Sequence, residues 1–88
     1  MKIIRKMQVK NPMGLHTRPA TLIVKLLQNT KCDIFFTYKR LTINAKSILS
    51  LLMLAAKKNS LITVTVNGDD AEDVMEKLAE AFDTQFGE

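Results

Sequence analysis

The pattern of hydrophobic and polar residues predicts four β-strands. Residues 2–9 alternate imperfectly between apolar and polar side chains, and residues 32–38 (CDIFFTY) are rich in aromatic and β-branched residues. Residues 41–44 (LTIN) form a short return strand after a turn at Lys39-Arg40. Residues 60–68 (SLITVTVNG) show the clearest alternation in the chain.

Between these strands the spacing changes to that of helices. The first predicted helix covers about residues 17–28, and residues 46–58 form a short, mostly apolar second helix with Ser47 as N-cap and Asn59 as a left-handed stop. A third helix covers residues 69–86, capped by Asp70. The apolar stripe of the first helix comprises Ala20, Ile23, Val24 and Leu27, widened by Leu22 and Leu26, and that of the third comprises Ala71, Val74, Met75, Leu78 and Phe82.

The predicted order β-α-β-β-α-β-α indicates an α+β fold. Amphipathic helices and a half-polar sheet favour two layers. We therefore expect an open-faced β-sandwich, in which a four-stranded antiparallel sheet carries three helices on one face, within a single domain spanning residues 1–88. If Ile34 and Phe36 face the helices, strand alternation places Phe35 on the open face.

Composition narrows the class of protein. The chain is 47% apolar and 25% charged, as in ordinary globular domains. The single cysteine, Cys32, excludes an intramolecular disulfide and favours a reducing compartment; we expect it to be a small buried residue. Because no export signal is visible and the longest apolar run, residues 48–56, is too short to span a membrane, we expect a cytoplasmic location without membrane insertion.

The segment NPMGLHTRPA, residues 11–20, contains the only histidine, His16. Pro19 lacks an amide hydrogen and therefore fits the first turn of a helix, which puts His16 at the helix start. The first-turn amides and the positive end of the helix dipole form an anion site there. Arg18 adds a guanidinium able to grip two phosphate oxygens, and Gly14 allows a tight turn.

An imidazole nitrogen beside an anion site can act as a nucleophile that accepts phosphate. The helix dipole favours the uncharged ring, and the amides with Arg18 would stabilise the phosphohistidine. The ordinary alternative is a histidine that caps the helix or lies on the surface. Since the chain has no glycine-rich phosphate loop, no second histidine for a metal and no Ser-His-Asp set, we expect neither a metal nor an organic cofactor. His16 would hold a phosphoryl group whose donor and acceptor are other molecules.

Two segments resemble one known family. GLHTRPA, residues 14–20, resembles the active segment of the histidine-containing phosphocarrier (HPr) family of the bacterial phosphotransferase system. NAKSILSLLMLAA, residues 44–56, resembles that family's second helix with its regulatory serine. The order of elements also matches, so the resemblance covers essentially the whole chain.

This resemblance implies a monomeric phosphoryl carrier rather than a stand-alone enzyme. Such a carrier takes phosphate from phosphorylated enzyme I, which phosphoenolpyruvate charges, and passes it to IIA domains of sugar transport complexes. By the resemblance His16 is phosphorylated on Nδ1, Arg18 is the phosphate partner, and Thr17 contributes a backbone amide. Lys25 matches a basic residue of the docking face, although a solvated helix lysine is an equally good interpretation.

The second helix carries two further predictions. The resemblance makes Ser47 the target of a regulatory serine kinase, with a matching phosphatase, whereas helix capping alone would also explain a serine there. It also makes Ile48, Leu49 and Leu52 an apolar docking patch beside His16. The alternative is that the second helix is more deeply buried.

Three features depart from the family. The turn at Lys39-Arg40 replaces an Asn-Gly type of pair, so we expect a different or looser turn. Met13 replaces a small polar residue before Gly14, and the second helix ends without the usual glycines. These departures leave a regulatory, nitrogen-type paralogue as one alternative. A small basic RNA-binding module, suggested by the net charge of +4 and by Phe35, is the other. RNA-binding sheets carry an aromatic-rich motif that this chain lacks, so no nucleic acid is expected.

Overall fold

The computed structural model describes residues 1–88 and confirms the predicted order of elements. In chain order they are β1 (Lys2–Gln8), α1 (Thr17–Leu27), β2 (Asp33–Tyr38), β3 (Leu41–Asn44), α2 (Ile48–Leu54), β4 (Leu61–Asn67) and α3 (Ala71–Asp83), followed by a 3-10 turn at Gln85–Gly87. The predicted α+β open sandwich is therefore confirmed.

The sheet has the strand order β1-β4-β2-β3, and every neighbouring pair is antiparallel. β4, whose alternation was clearest in the sequence, is a central strand that pairs with β1 on one side and β2 on the other. Its inward residues Ile62, Val64 and Val66 are fully buried. Because adjacent side chains point to opposite faces, the same strand presents Thr63 and Thr65 to the open side.

The helices cover one face of the sheet. The α3 stripe predicted from the sequence is buried throughout, and Phe82 contacts Phe36 of the sheet with ring centroids 5.8 Å apart. In α1, Ala20, Ile23 and Leu27 are buried as predicted. Leu22 and Leu26, which the sequence adds to the stripe, are instead exposed, so the buried face of α1 is narrower than predicted.

The second helix is shorter than predicted. It ends at Leu54, and Ala55 takes the left-handed C-cap with a φ of 53°. Asn59 also has a positive φ, of 74°, but it lies in the turn before β4 rather than at the helix end. The predicted helix end was wrong because alanine rarely adopts the left-handed conformation, so the residue type of Ala55 did not indicate that the helix ends there.

The third helix also ends early, at Asp83. Gln85 and Phe86 adopt positive φ values of 55° and 54°, which turn the chain back toward α1. Phe86 is buried by this turn, and its ring meets that of Phe82 edge-on with centroids 4.9 Å apart. At the other end of α3, Asp70 occupies the N-cap position but its side chain makes no capping hydrogen bond.

The remaining sequence predictions concern the turn at Lys39-Arg40, the open face and the cysteine. The turn is not loose: Tyr38 pairs with Leu41, so two residues connect the strands, and Lys39 takes a φ of 58°. Phe35 lies on the open face, whereas Ile34 and Phe36 are buried, as predicted. Cys32 is buried and free. No helix has the length and apolar character needed to cross a membrane.

Candidate functional site

His16 occupies the N-cap position of α1, and its side chain makes no capping hydrogen bond. Its backbone is extended, with φ −88° and ψ −167°, and its carbonyl accepts the first bond of the helix from the Ala20 amide at 3.0 Å. The side chain is 28% exposed. The ring is therefore neither sealed in the core nor used as a cap, so the capping interpretation is excluded.

The first turn of α1 has the free amides on which the predicted anion site depends. The amides of Thr17 and Arg18 precede the first intrahelical hydrogen bond and so have no acceptor within the helix. Pro19, which has no amide hydrogen, is buried at the third helical position. The Arg18 side chain is 78% exposed. This places an exposed guanidinium and two amides without a helical acceptor at the helix end that carries His16.

The loop before His16 is held against the segment that follows α2. The Leu15 amide donates to the carbonyl of Ala56 at 2.9 Å, and the Leu15 side chain is buried. Gly14 has a φ of +68°, and a Cβ there would overlap the carbonyl oxygen of Ala56 and lie 2.9 Å from the Cα of Lys57. Glycine is therefore required at this position by both conformation and space.

A carboxylate that the sequence analysis missed lies against the imidazole. Nε2 of His16 is 3.0 Å from Oε1 and 2.9 Å from Oε2 of Glu88. The Glu88 side chain is 16% exposed, and its Oε2 lies 3.8 Å from Nη1 of Arg18. Glu88 is 72 residues from His16 along the chain, and only the turn after α3 brings the two together. No local sequence motif therefore predicts this contact.

Asn11 is the second residue of the site that the sequence does not predict. It is fully buried, and its Nδ2 donates to Oε1 of Glu88 at 2.6 Å and to the carbonyl of Gln85 at 2.7 Å. Its Oδ1 has no hydrogen-bond partner. The only sequence signal was the Asn-Pro pair, which indicates a loop but says nothing of a contact with the other end of the chain.

The neighbours of Glu88 change its acidity. Desolvation raises the pKa of Glu88. Hydrogen bonds from Asn11 and His16, together with the electrostatic attraction of His16 and Arg18, lower the pKa by more than desolvation raises it. The pKa of Glu88 therefore lies below its ordinary value of 4.5. Glu88 is thus a carboxylate at neutral pH, and it can only accept hydrogen bonds.

The predicted docking residues are exposed. In α2, Leu49 is 71% exposed, and Ile48 and Leu52 are each 37% exposed. Met53 extends this apolar surface, and Met13 adds a further exposed apolar side chain beside the His16 loop. The deeper burial of α2 considered from the sequence is therefore wrong, because only Leu51 and Leu54 of the helix are buried.

Ser47 takes the predicted N-cap position, and Lys25 lies on α1. Ser47 is the N-cap of α2, and its Oγ accepts from the Ser50 amide at 3.3 Å. Lys25 is exposed in the last turn of α1, and it lines a shallow depression together with Arg18 and Phe86. No group of three or more His, Cys, Asp or Glu side chains is arranged to hold a metal ion.

Comparisons with known proteins identify the family and the fold that this chain resembles. The family model described as the PTS HPr component phosphorylation site matches residues 3–84. The phosphocarrier protein HPr of Chlamydia muridarum is 50% identical over 80 residues, which cover 91% of this chain and 77% of that protein. The crystal structure of HPr from Bacillus anthracis has a TM-score of 0.87 at 38% identity and covers 92% of this chain and 96% of its own. For HPr-C-His from Thermoanaerobacter tengcongensis the TM-score is 0.93 at 29% identity, with coverage of 98% and 97%.

Replacing Gly14 by alanine tests whether the close approach of Gly14 to the backbone of Ala56 and Lys57 requires glycine. We expect Gly14→Ala to lower the free energy of unfolding by at least about 1 kcal/mol more than Gly87→Ala does. Gly87 is the matched control because its φ is also positive, +79°, yet nothing lies within 4 Å of an added Cβ. Urea unfolding measures both variants. Equal losses would contradict the steric role assigned to Ala56 and Lys57.

The lowered pKa of Glu88 predicts how stability depends on pH. Since the carboxyl binds its proton more weakly in the folded protein, its stabilisation is fully present above pH 4.5 and is lost as the pH falls through the lower folded-state pKa. The difference in free energy of unfolding between the wild type and Glu88→Gln should therefore shrink below pH 4.5. A difference that stays constant with falling pH is the contrary result.

Proposed function

This chain belongs to the HPr family of phosphocarrier proteins of the phosphotransferase system, and on that premise we propose that His16 accepts a phosphoryl group from phosphorylated enzyme I and passes it to IIA domains of sugar transport complexes. The observation that carries this proposal is the N-cap position of His16 without a capping bond. A histidine that is placed among helix-terminal amides and yet leaves them free is arranged for an incoming anion.

The two ring nitrogens of His16 have different surroundings. Nε2 contacts Glu88, whereas Nδ1 makes no hydrogen bond to the protein. We therefore assign the phosphoryl group to Nδ1. The amides of Thr17 and Arg18 then stabilise the negative charge of the phosphohistidine, and the exposed Arg18 guanidinium can turn to bind its oxygens bidentately.

The surface around His16 supports docking of other proteins. Ile48, Leu49 and Leu52 expose apolar area on α2, and small soluble domains rarely expose such area without a partner. Lys25 adds a positive charge on the last turn of α1. We propose that enzyme I and the IIA domains bind this mixed apolar and basic surface in turn, in the cytoplasm, and that the protein acts as a carrier between them.

A phosphorylation assay tests the carrier function. Incubation with enzyme I and labelled phosphoenolpyruvate should label the wild type, since Nδ1 of His16 is a free nucleophile; the label should be lost in acid and absent in His16→Ala. No label, or label that persists in His16→Ala, contradicts the assignment. Absence of label combined with salt-sensitive RNA binding would favour the RNA-binding alternative.

We further propose that phosphorylation of Ser47 by a serine kinase, reversed by a phosphatase, regulates docking. The support is its place directly before the exposed residues Ile48 and Leu49. A phosphate there would add about two negative charges beside an apolar docking surface and oppose an acidic partner. Capping of α2 by the hydroxyl, which stabilises the fold by about 1 kcal/mol, is compatible with that role.

A charge at Ser47 should weaken transfer. We expect Ser47→Asp to lower the rate of phosphoryl transfer from enzyme I about 10-fold, because a negative charge enters the docking surface. Thr42→Asp is the matched control, since Thr42 is exposed on the open face of the sheet. Transfer assays at fixed ionic strength measure both. Equal rates for the two variants would argue against a regulatory Ser47.

A further inference from the structure

We propose that Glu88 is a positioning residue for phosphoryl transfer: its carboxylate accepts the Nε2 proton of His16 and thereby leaves the lone pair on Nδ1. Asn11 holds Glu88 in place for this purpose. The inference rests on the proposed function, because it concerns the same histidine. It assigns roles to two residues that the active-segment motif does not contain.

Hydrogen-bond chemistry determines the direction of the contact. Both oxygens of Glu88 lie within 3.0 Å of Nε2 of His16. A carboxylate has no proton to give, so the hydrogen atom between the two groups belongs to Nε2. A neutral imidazole carries one proton, and the lone pair therefore resides on Nδ1, the nitrogen without a protein partner.

Asn11 and the turn after α3 fix the position of the carboxylate. Nδ2 of Asn11 donates to two acceptors, Oε1 of Glu88 and the carbonyl of Gln85. The opposite orientation of the amide would place Oδ1 against these two oxygen atoms, so the orientation is determined by chemistry. Burial of Phe86 against Phe82 anchors the same turn. The clamp leaves Oδ1 of Asn11 buried without a partner, which destabilises the folded protein.

The carboxylate has a role during the reaction as well as before it. The lone pair of Nδ1 forms the new N–P bond while the bond from phosphorus to the donor's leaving group breaks, and that electron pair leaves with the donor. The ring keeps its Nε2 proton and gains positive charge. Glu88 stabilises that charge through the same hydrogen bond, as the carboxylate behind the histidine does in a Ser-His-Asp triad.

Glu88 does not occupy the phosphoryl position. It contacts Nε2, whereas the proposed bond forms at Nδ1, the other nitrogen of the ring. Arg18 lies 3.8 Å from Glu88 and is largely exposed. Its guanidinium can therefore rotate to the phosphoryl oxygens while the His16–Glu88 hydrogen bond stays intact.

A small-molecule donor tests the positioning role without any partner protein. Phosphoramidate transfers its phosphoryl group to imidazole nitrogens and releases ammonia. We expect the wild type and Glu80→Gln to react at Nδ1 of His16, whereas Glu88→Ala also reacts at Nε2, which has lost its acceptor. Glu80 is an exposed glutamate of α3 and serves as the matched control. Phosphorus and nitrogen NMR of the product identify the phosphorylated nitrogen.

Transfer from enzyme I gives the second readout. We expect Glu88→Ala and Asn11→Ala to lower the transfer rate about 10-fold while the label remains on His16, because the ring loses its orientation. Glu88→Gln keeps an acceptor for the Nε2 proton but loses the charge, so it should retain Nδ1 as the site and show an intermediate rate. Urea unfolding verifies that each variant is folded.

The outcomes separate the two proposals. If enzyme I labels the wild type and Glu88→Ala at equal rates, and phosphoramidate modifies only Nδ1 in both, Glu88 has no positioning role and the carrier function stands. If enzyme I labels neither, but phosphoramidate changes its site in Glu88→Ala, the positioning role stands and the carrier function fails. A change of site together with a slower transfer in Glu88→Ala supports both.

Discussion

The site depends on a helix whose N-cap residue does not cap it. Serine, threonine or aspartate at position 16 would bond the first-turn amides and stabilise α1 by about 1 kcal/mol. His16 gives up that stabilisation, and the amides of Thr17 and Arg18 stay available for an external anion. Functional sites are expected at positions where the residue is not the one that stabilises the local structure best.

Two distant parts of the chain hold this arrangement. Gly14 approaches the backbone of Ala56 and Lys57, so the loop before α1 is fixed by the segment after α2. The turn after α3, at the other end of the chain, places the carboxylate of Glu88 against the imidazole of His16. Because both supports come from outside α1, the orientation of the ring is a property of the whole fold, and the motif alone does not determine it.

The sequence predicted the strands, α1 and the reactive histidine because each has a local signal. Alternation identified β4, helical spacing identified the stripe from Ala20 to Leu27, and Pro19 placed the helix start. The ends of α2 and α3 lacked such signals, since Ala55 and Phe86 take left-handed conformations that their residue types disfavour. Asn11 and Glu88 were missed for the same reason: their contact exists only once the unforeseen turn after α3 has formed.

The proposed role of Glu88 requires that His16 carries its proton on Nε2 and leaves Nδ1 free to accept the phosphoryl group. Long-range proton–nitrogen NMR of the unphosphorylated protein, with the imidazole neutral, reads the protonation of each ring nitrogen directly. We expect a protonated Nε2 that is hydrogen-bonded to Glu88, and an unprotonated Nδ1. A ring that carries its proton on Nδ1 would contradict this role of Glu88.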